Sequence, residues 1–322
     1  MKTFLAFVLL AWLPFVPLAA EICDLAPAGA GLVLRIDLRD AAGKGAVRDD
    51  LLRQLSRQSG LDEKKLGPEV FVETIGEVLV VTPSLTDDYT LVFVKTKVTE
   101  EVFCRKLTEQ TGLKVETVKV LDRTEKRLFI PSGSLFPGIS AKPRTVAFAF
   151  LEKDIAVFAK DTLVPYWAFK RYGIAPAKRR YLESNGALVT GFIEPDAGFL
   201  RENPFFPPLR LAYYSLAGDS SGGVRIRAAA ECPDEKAASQ VQVQVQQYVM
   251  LGGILLNQTA PELAQEWLSM VRVRRTKTEV FLDADISASF IMGLSAASAQ
   301  LTENLNPKAD HPKTDGPKTK TN

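Results

Sequence analysis

Apolar residues alternate at Leu34, Ile36 and Leu38, with Arg35 and Asp37 between them. That two-residue period predicts a strand over Leu32 to Leu38. Val47, Leu51, Leu52 and Leu55 then recur at helical spacing and predict a helix from Val47 to Ser59, stopped by Gly60. Glu77 to Thr82 and Tyr89 to Val98 read as strands of a hairpin joined by turn-forming residues around Ser84 to Asp88. Thr99 is placed to cap a helix from Glu100 to Gln110, and Gly112 to end it. Strands Lys114 to Leu121 and Arg127 to Ile130 bracket the polar turn Asp122 to Lys126, and Pro131 to Pro143 reads as a loop. Thr145 to Leu151 and Ile155 to Ala159 form a second hairpin. A helix from Thr162 to Tyr172 follows, with Pro165 in its first turn.

After Tyr181 the pattern starts again. Ala187 to Glu194 is a strand, and Leu209 to Ala217 and Gly223 to Glu231 form a hairpin around Gly218 to Gly222. Asp234 caps a long helix running to about Leu256. Within it, Val241 to Gln246 alternates with period two, which favours a strand. Ala237, Val241, Val245, Tyr248, Gly252 and Leu255 recur at three and four, which favours a helix, and the helix is the reading adopted. A helix from Pro261 to Val271, a hairpin of Val271 to Arg275 with Glu279 to Ile286, and a helical Ser287 to Gln300 complete the order. The expected fold class is therefore α+β, in two related units, each a largely antiparallel sheet with helices packed on one face. The units span residues 21–182 and 183–301 and meet near Lys178 to Asn185.

The ends differ from the rest. Lys2, the apolar run Phe4 to Val16 and the small residues before Glu21 have the layout of a secretory signal peptide over residues 1–20, cleaved after Ala20. The run is shorter than a spanning helix needs, and Glu21-Ile22 before Cys23 do not suit a lipid-attachment site. Export to the periplasm or the exterior follows, as a soluble protein. Thr302 to Asn322 is polar, with almost no large apolar side chains after Leu305, and reads as a disordered tail.

Composition removes chemistry. The single histidine, His311, lies in that tail, so a Ser-His-Asp triad, a Cys-His pair or a His-ligated metal centre has no ordered imidazole to use. Cys23, Cys104 and Cys232 are odd in number and far apart, which allows at most one internal disulfide and fits no zinc motif. With 40 Lys and Arg against 38 Asp and Glu, the net charge of +2 gives no basic excess for nucleic acid. No phosphate-cradling glycine motif is present, and no cofactor is expected.

Three stretches carry a likeness to known proteins: Leu32 to Asp37 after the leader, Ala147 to Phe158 leading into Leu163, and Gly223 to Arg227 followed by the Asp234 helix and the strand Glu279 to Ile286. In these the chain resembles uncharacterised exported bacterial proteins with a signal peptide and two mixed α+β units. The resemblance implies export and a style of fold. It transfers no catalytic residue.

Three surface features are candidates for binding. Arg225 and Arg227 alternate on one predicted strand and Arg272 and Arg274 on another; sharing one sheet face, they would hold carboxylate or phosphate groups. The plainer alternative is a solvated face paired with Glu231, Glu279 and Asp283. Lys170, Arg171, Lys178, Arg179 and Arg180 form a basic run suited to an envelope protein, an anionic polymer or a membrane surface, or else a solvated linker. Phe205 and Phe206, among prolines, offer an apolar contact surface or fold back as a core cap. Carboxylate pairs such as Asp49-Asp50 or Asp283-Asp285 are candidates for acid/base work; Asp283 and Asp285 lie on one strand face with a spacing that inverting glycosidases use, and no sugar cleft accompanies them. The expectation is a non-enzymatic exported binding or scaffold protein. A carrier of an apolar ligand is the second reading, and a carboxylate hydrolase the third.

Overall fold

The computed structural model describes residues 21–38, 74–85, 89–130, 144–183, 186–202, 208–219 and 221–294. The leader, the helix Val47 to Ser59, the loop Pro131 to Pro143, Phe205, Phe206 and the tail Thr302 to Asn322 lie outside them.

The strands are β1 (Leu32–Asp37), β2 (Ile75–Thr82), β3 (Leu91–Thr96), β4 (Val115–Val120), β5 (Arg123–Ile130), β6 (Arg144–Glu152), β7 (Ile155–Lys160), β8 (Val189–Ile193), β9 (Leu211–Gly218), β10 (Val224–Glu231), β11 (Val271–Arg275) and β12 (Glu279–Ile286). They form a single 12-stranded sheet in the order β11-β12-β10-β9-β8-β1-β2-β3-β7-β6-β5-β4. Neighbouring strands run antiparallel throughout. The α+β class is as expected; the division into two sheets is not. β1 of the first half and β8 of the second pair directly, Leu32 opposite Ile193 and Ile36 opposite Val189. Strong apolar alternation on both strands leaves neither a stable free edge, and joining them satisfies the backbone groups each would expose.

The helices are α1 (Ile22–Leu25), α2 (Glu100–Thr111), α3 (Val164–Trp167), α4 (Pro176–Arg179), α5 (Ala197–Glu202), α6 (Glu235–Thr259) and α7 (Pro261–Met270), with a 3₁₀ turn at Arg180–Leu182. The long ones share one face. Phe103 of α2 meets the rings of Phe150 and Phe158 at 5.8 and 6.1 Å. Ala237, Ala238 and Val241 of α6 pack on Ala230, Val273 and Val280. Strand register carries Phe158, Val92, Val80, Leu34, Gly191, Tyr214, Ala228 and Leu282 along that same side. Asp234 caps α6 by accepting the Ala237 N–H at 2.8 Å, so the helical period wins over the alternation at Val241 to Gln246.

The opposite face holds the main core: Val33, Leu79, Val81, Phe93, Val157 and Phe192 under the short elements, which contribute Ile22, Leu163, Tyr166, Ile174 and Leu182. Helices therefore lie on both faces, against the expectation of one. The predicted helix Thr162 to Tyr172 is a single turn, α3, and the backbone then turns away so that Tyr172 can bridge to Pro27 and Ile174 can enter the core. The turn between β4 and β5 lies at Leu121 and Asp122, at the very start of the polar stretch predicted for it, whose other residues belong to β5, and Leu121 takes a φ of 54° to make it. Over β9 and β10 this second face meets the 3₁₀ turn through Tyr181, and beyond it the side chains of Arg225, Arg227 and Arg274 are more than half exposed.

Candidate functional site

Strand register decides which charges meet. Arg225 and Arg227 lie opposite Asp285 and Asp283 across β10 and β12. Arg272 and Arg274 lie opposite Asp283 and Phe281 across β11 and β12. All four arginines thus share one face, with β12 between the two pairs. Arg225 Nε is 3.0 Å from Asp285, Arg227 Nε 3.8 Å from Asp283, and Arg274 Nη2 2.6 Å from the other oxygen of Asp283. Arg274 also sits 5.6 Å over the Phe281 ring. The pairing with Asp283 anticipated for a solvated face is present; Glu231 instead accepts the Tyr181 hydroxyl at 2.8 Å. Both aspartates that could have formed a hydrolase pair are occupied by arginine.

The basic run divides in the fold. Lys170 and Arg171 are exposed after α3. Lys178 is bonded to Glu194 and lies 5.8 Å over Phe192. Arg179 donates to the Ile174 carbonyl at 2.8 Å and meets Asp24 at 2.5 Å. These two bind the linker to the body of the protein, so the five basic residues do not stand on one common surface as free side chains. Arg180 is the exception. It is exposed, hydrogen-bonds the Tyr181 hydroxyl and lies 4.7 Å over that ring. Tyr181 in turn stacks on Tyr213 with ring centroids 4.5 Å apart. Burial is the leading cause that raises both phenols above their ordinary range, so they stay neutral donors at physiological pH.

Arg180 from the linker and Arg225 and Arg227 from β10 open onto one cleft of about 390 Å³, with Ser215, Thr190, Glu183 and Asp283 also in its wall. Three arginines against two acids leave its lining positive by one charge. Arg180 and Arg225, 45 positions apart in the chain and in separate candidate groups in the sequence, line one cleft in the fold, while Arg272, Arg274, Lys170, Arg171, Lys178 and Arg179 lie outside its lining.

A second polar cluster lies at the centre of the sheet. Arg35 Nε donates to Glu77 at 2.7 Å, its Nη1 bonds the Leu182 carbonyl, and its Nη2 is 3.8 Å from Asp37. Asp37 and Glu77 are both buried. Alternation marked Arg35 and Asp37 as the polar side of β1, and nothing in the chain marked Leu182, far away in sequence, as what they hold. Cys23 borders the same region; burial pushes its thiol up to about 11. All three cysteines are free, and Cys104 and Cys232 are also raised by burial. Among the described residues no group of three or more His, Cys, Asp and Glu side chains is arranged to hold a metal. No helix among them is long and apolar enough to cross a membrane.

No family model, curated protein or solved structure matches the chain.

Proposed function

We propose that the chain is an exported, non-enzymatic binding protein that takes anionic groups, carboxylates above all, in the cleft between β10 and the 180–183 turn. The observation that supports this is the convergence of Arg180, Arg225 and Arg227 on one open cleft. Exposed ion pairs such as Arg225–Asp285 are worth about 0–1 kcal/mol, so an incoming carboxylate can exchange with the aspartate at little cost. Arg180 and Tyr181 add donors from a segment anchored by the buried Leu182. The leader-like residues 1–20 support export. The carrier reading has less behind it, because the clefts at Arg225–Asp283 and at Arg35–Glu77 are lined with charge.

The internal duplication is part of the same reading. β1-β2-β3 and β8-β9-β10 are both three-strand meanders. Each leads to a long helix, and each half's last strand, β7 or β12, returns to pair with the third. The two meanders meet at antiparallel β1 and β8, the relation a two-fold repeat would have.

Titration with a hexaglutamate peptide tests the function. Binding should weaken with added salt and fall at least about tenfold when Arg180, Arg225 and Arg227 are all replaced by alanine, while hexalysine does not bind. Equal binding by the triple variant would reject the cleft.

A further inference from the structure

We propose that the exposed face of α6 is a two-fold interface with a second copy of this chain. The proposal does not rest on the anion cleft, which lies on the other face of the sheet. Tyr248, Met250, Leu251, Ile254, Leu255 and Leu268 are between 50% and 63% exposed. Tyr248, Leu251 and Leu255 follow the three-four spacing of a packing seam, with Met250 and Ile254 beside them and Leu268 of α7 seated against Gly253. The inner face of the same helix segment is also apolar: Leu256 packs on the Ala260–Leu263–Phe290 cluster, and Gly252 meets Trp267. A helix apolar on all sides is one that is buried on all sides.

Two observations select a second copy as the occupant. The first is area. These side chains together expose on the order of 600–700 Å², close to one partner's share of a standard interface and more than scattered surface residues produce. The second is charge. Ala237 to Pro261 contains no charged residue, and no Lys or Arg occurs between Lys236 and Arg272. A membrane-surface helix needs cations to meet headgroups, and the nearest charges here are Glu262 and Glu266 on α7, which anionic lipid repels. An uncharged face is what an isologous contact tolerates, because a two-fold axis sets each patch against itself and any single-sign charge would repel its own copy. The flanking Gln247 and Gln258 give a polar, uncharged rim.

Sedimentation velocity on the full chain in reducing buffer is the test, since three free thiols could otherwise join copies artificially. The wild type should sediment as a dimer at tens of micromolar, and Leu251→Glu with Ile254→Glu should raise the dissociation constant at least about 100-fold. Both positions are half exposed, so the circular dichroism spectrum should stay that of the wild type, and the melting temperature should fall only by the part of the wild type's that depends on protein concentration. Leu251→Cys should cross-link to its own copy on oxidation well above the background of the native thiols. A wild type that stays monomeric at 100 µM, in order-of-magnitude terms far above typical dimer constants, would overturn the proposal. So would a double-glutamate variant that still dimerises, a Leu251→Cys that does not cross-link above background, or a monomer that binds phosphatidylcholine vesicles through this face.

Discussion

Removing the Glu125 side chain would leave the Leu163 N–H without the carboxylate that accepts it at 3.1 Å, and the Arg127 guanidinium without its partner at 2.8 Å. Glu125 is fully buried, in the polar turn that the sequence pattern placed between two strands; its neighbours are hydrophilic, and only the tertiary contact with α3 explains its burial. Glu125→Ala is expected to cost about 2–4 kcal/mol by urea denaturation, and Glu125→Gln clearly less, because the amide oxygen still accepts the Leu163 N–H. Equal losses for the two variants would mean that charge, not hydrogen bonding, dominates there. Cys23 makes a pH prediction. Its folded pKa of about 11 is raised above the ordinary 9.0, so its contribution is complete below pH 9 and is lost as pH rises through 11. Between pH 8 and pH 10.5 the wild type should lose about 2 kcal/mol more stability than Cys23→Ala. Parallel stability-pH curves for the two proteins would contradict the burial of that thiol.

Elements with one strong periodic signal were legible along the chain; those shaped by distant neighbours were not. β1, β11, β12, α6 and α7 lie within a few residues of their predicted bounds, because alternation, the Asp234 cap and Pro261 act locally. The aromatic run after Pro165 has helical spacing, yet only one turn of helix forms. Tyr166 instead donates to the Leu25 carbonyl, and Tyr172 to the Tyr166 carbonyl, which the straight helix would not allow. The candidate cleft was half legible: alternation put Arg225 and Arg227 on one side of a strand, while the arrival of Arg180 beside them depends on β8 pairing with β9 and on Leu182 anchoring the turn. β8 also holds a glycine with no room for a side chain. A Cβ on Gly191 would come within 2.5 Å of the Val33 carbonyl oxygen and 2.9 Å of the Tyr214 hydroxyl. Gly191→Ala should therefore destabilise the protein by several kcal/mol, of the order seen for overpacked cores or more, since strand backbone has to move. Adding Tyr214→Phe should not rescue it, because the closer clash is with a main-chain atom. Recovery of the wild-type midpoint in that double variant would show that the hydroxyl was the obstacle.

At the scale of the whole molecule, the β1–β8 pairing joins the strands before and after the 178–185 linker in one sheet. Val33 and Phe192 face each other across that seam, both almost fully buried in the main core, and Arg35 ties β1 and β2 to Leu182 in the turn that leads into β8. Lys178 and Arg179 then fasten the connecting turn to Glu194 and Asp24 on either side. Cutting the chain at the linker would expose the edges of two central, apolar strands, β1 and β8. The repeat of pattern along the sequence suggested separable units because each half has its own meander and helices; what it omitted was that the first strand of each is an interior strand of a common sheet. Thermal or urea unfolding should accordingly be a single transition when followed by far-ultraviolet dichroism and by tryptophan fluorescence. Phe192→Ala should lower the stability of the whole by about 3–5 kcal/mol and move both signals together. If the halves were independent, unfolding would show two transitions, and the variant would shift only the one that belongs to the second half. Expressed apart, residues 21–183 and 184–322 should each lack a cooperative transition, and mixing them during refolding should restore it. A stable, cooperatively unfolding fragment from either side would show that the seam joins two domains that need no help from each other.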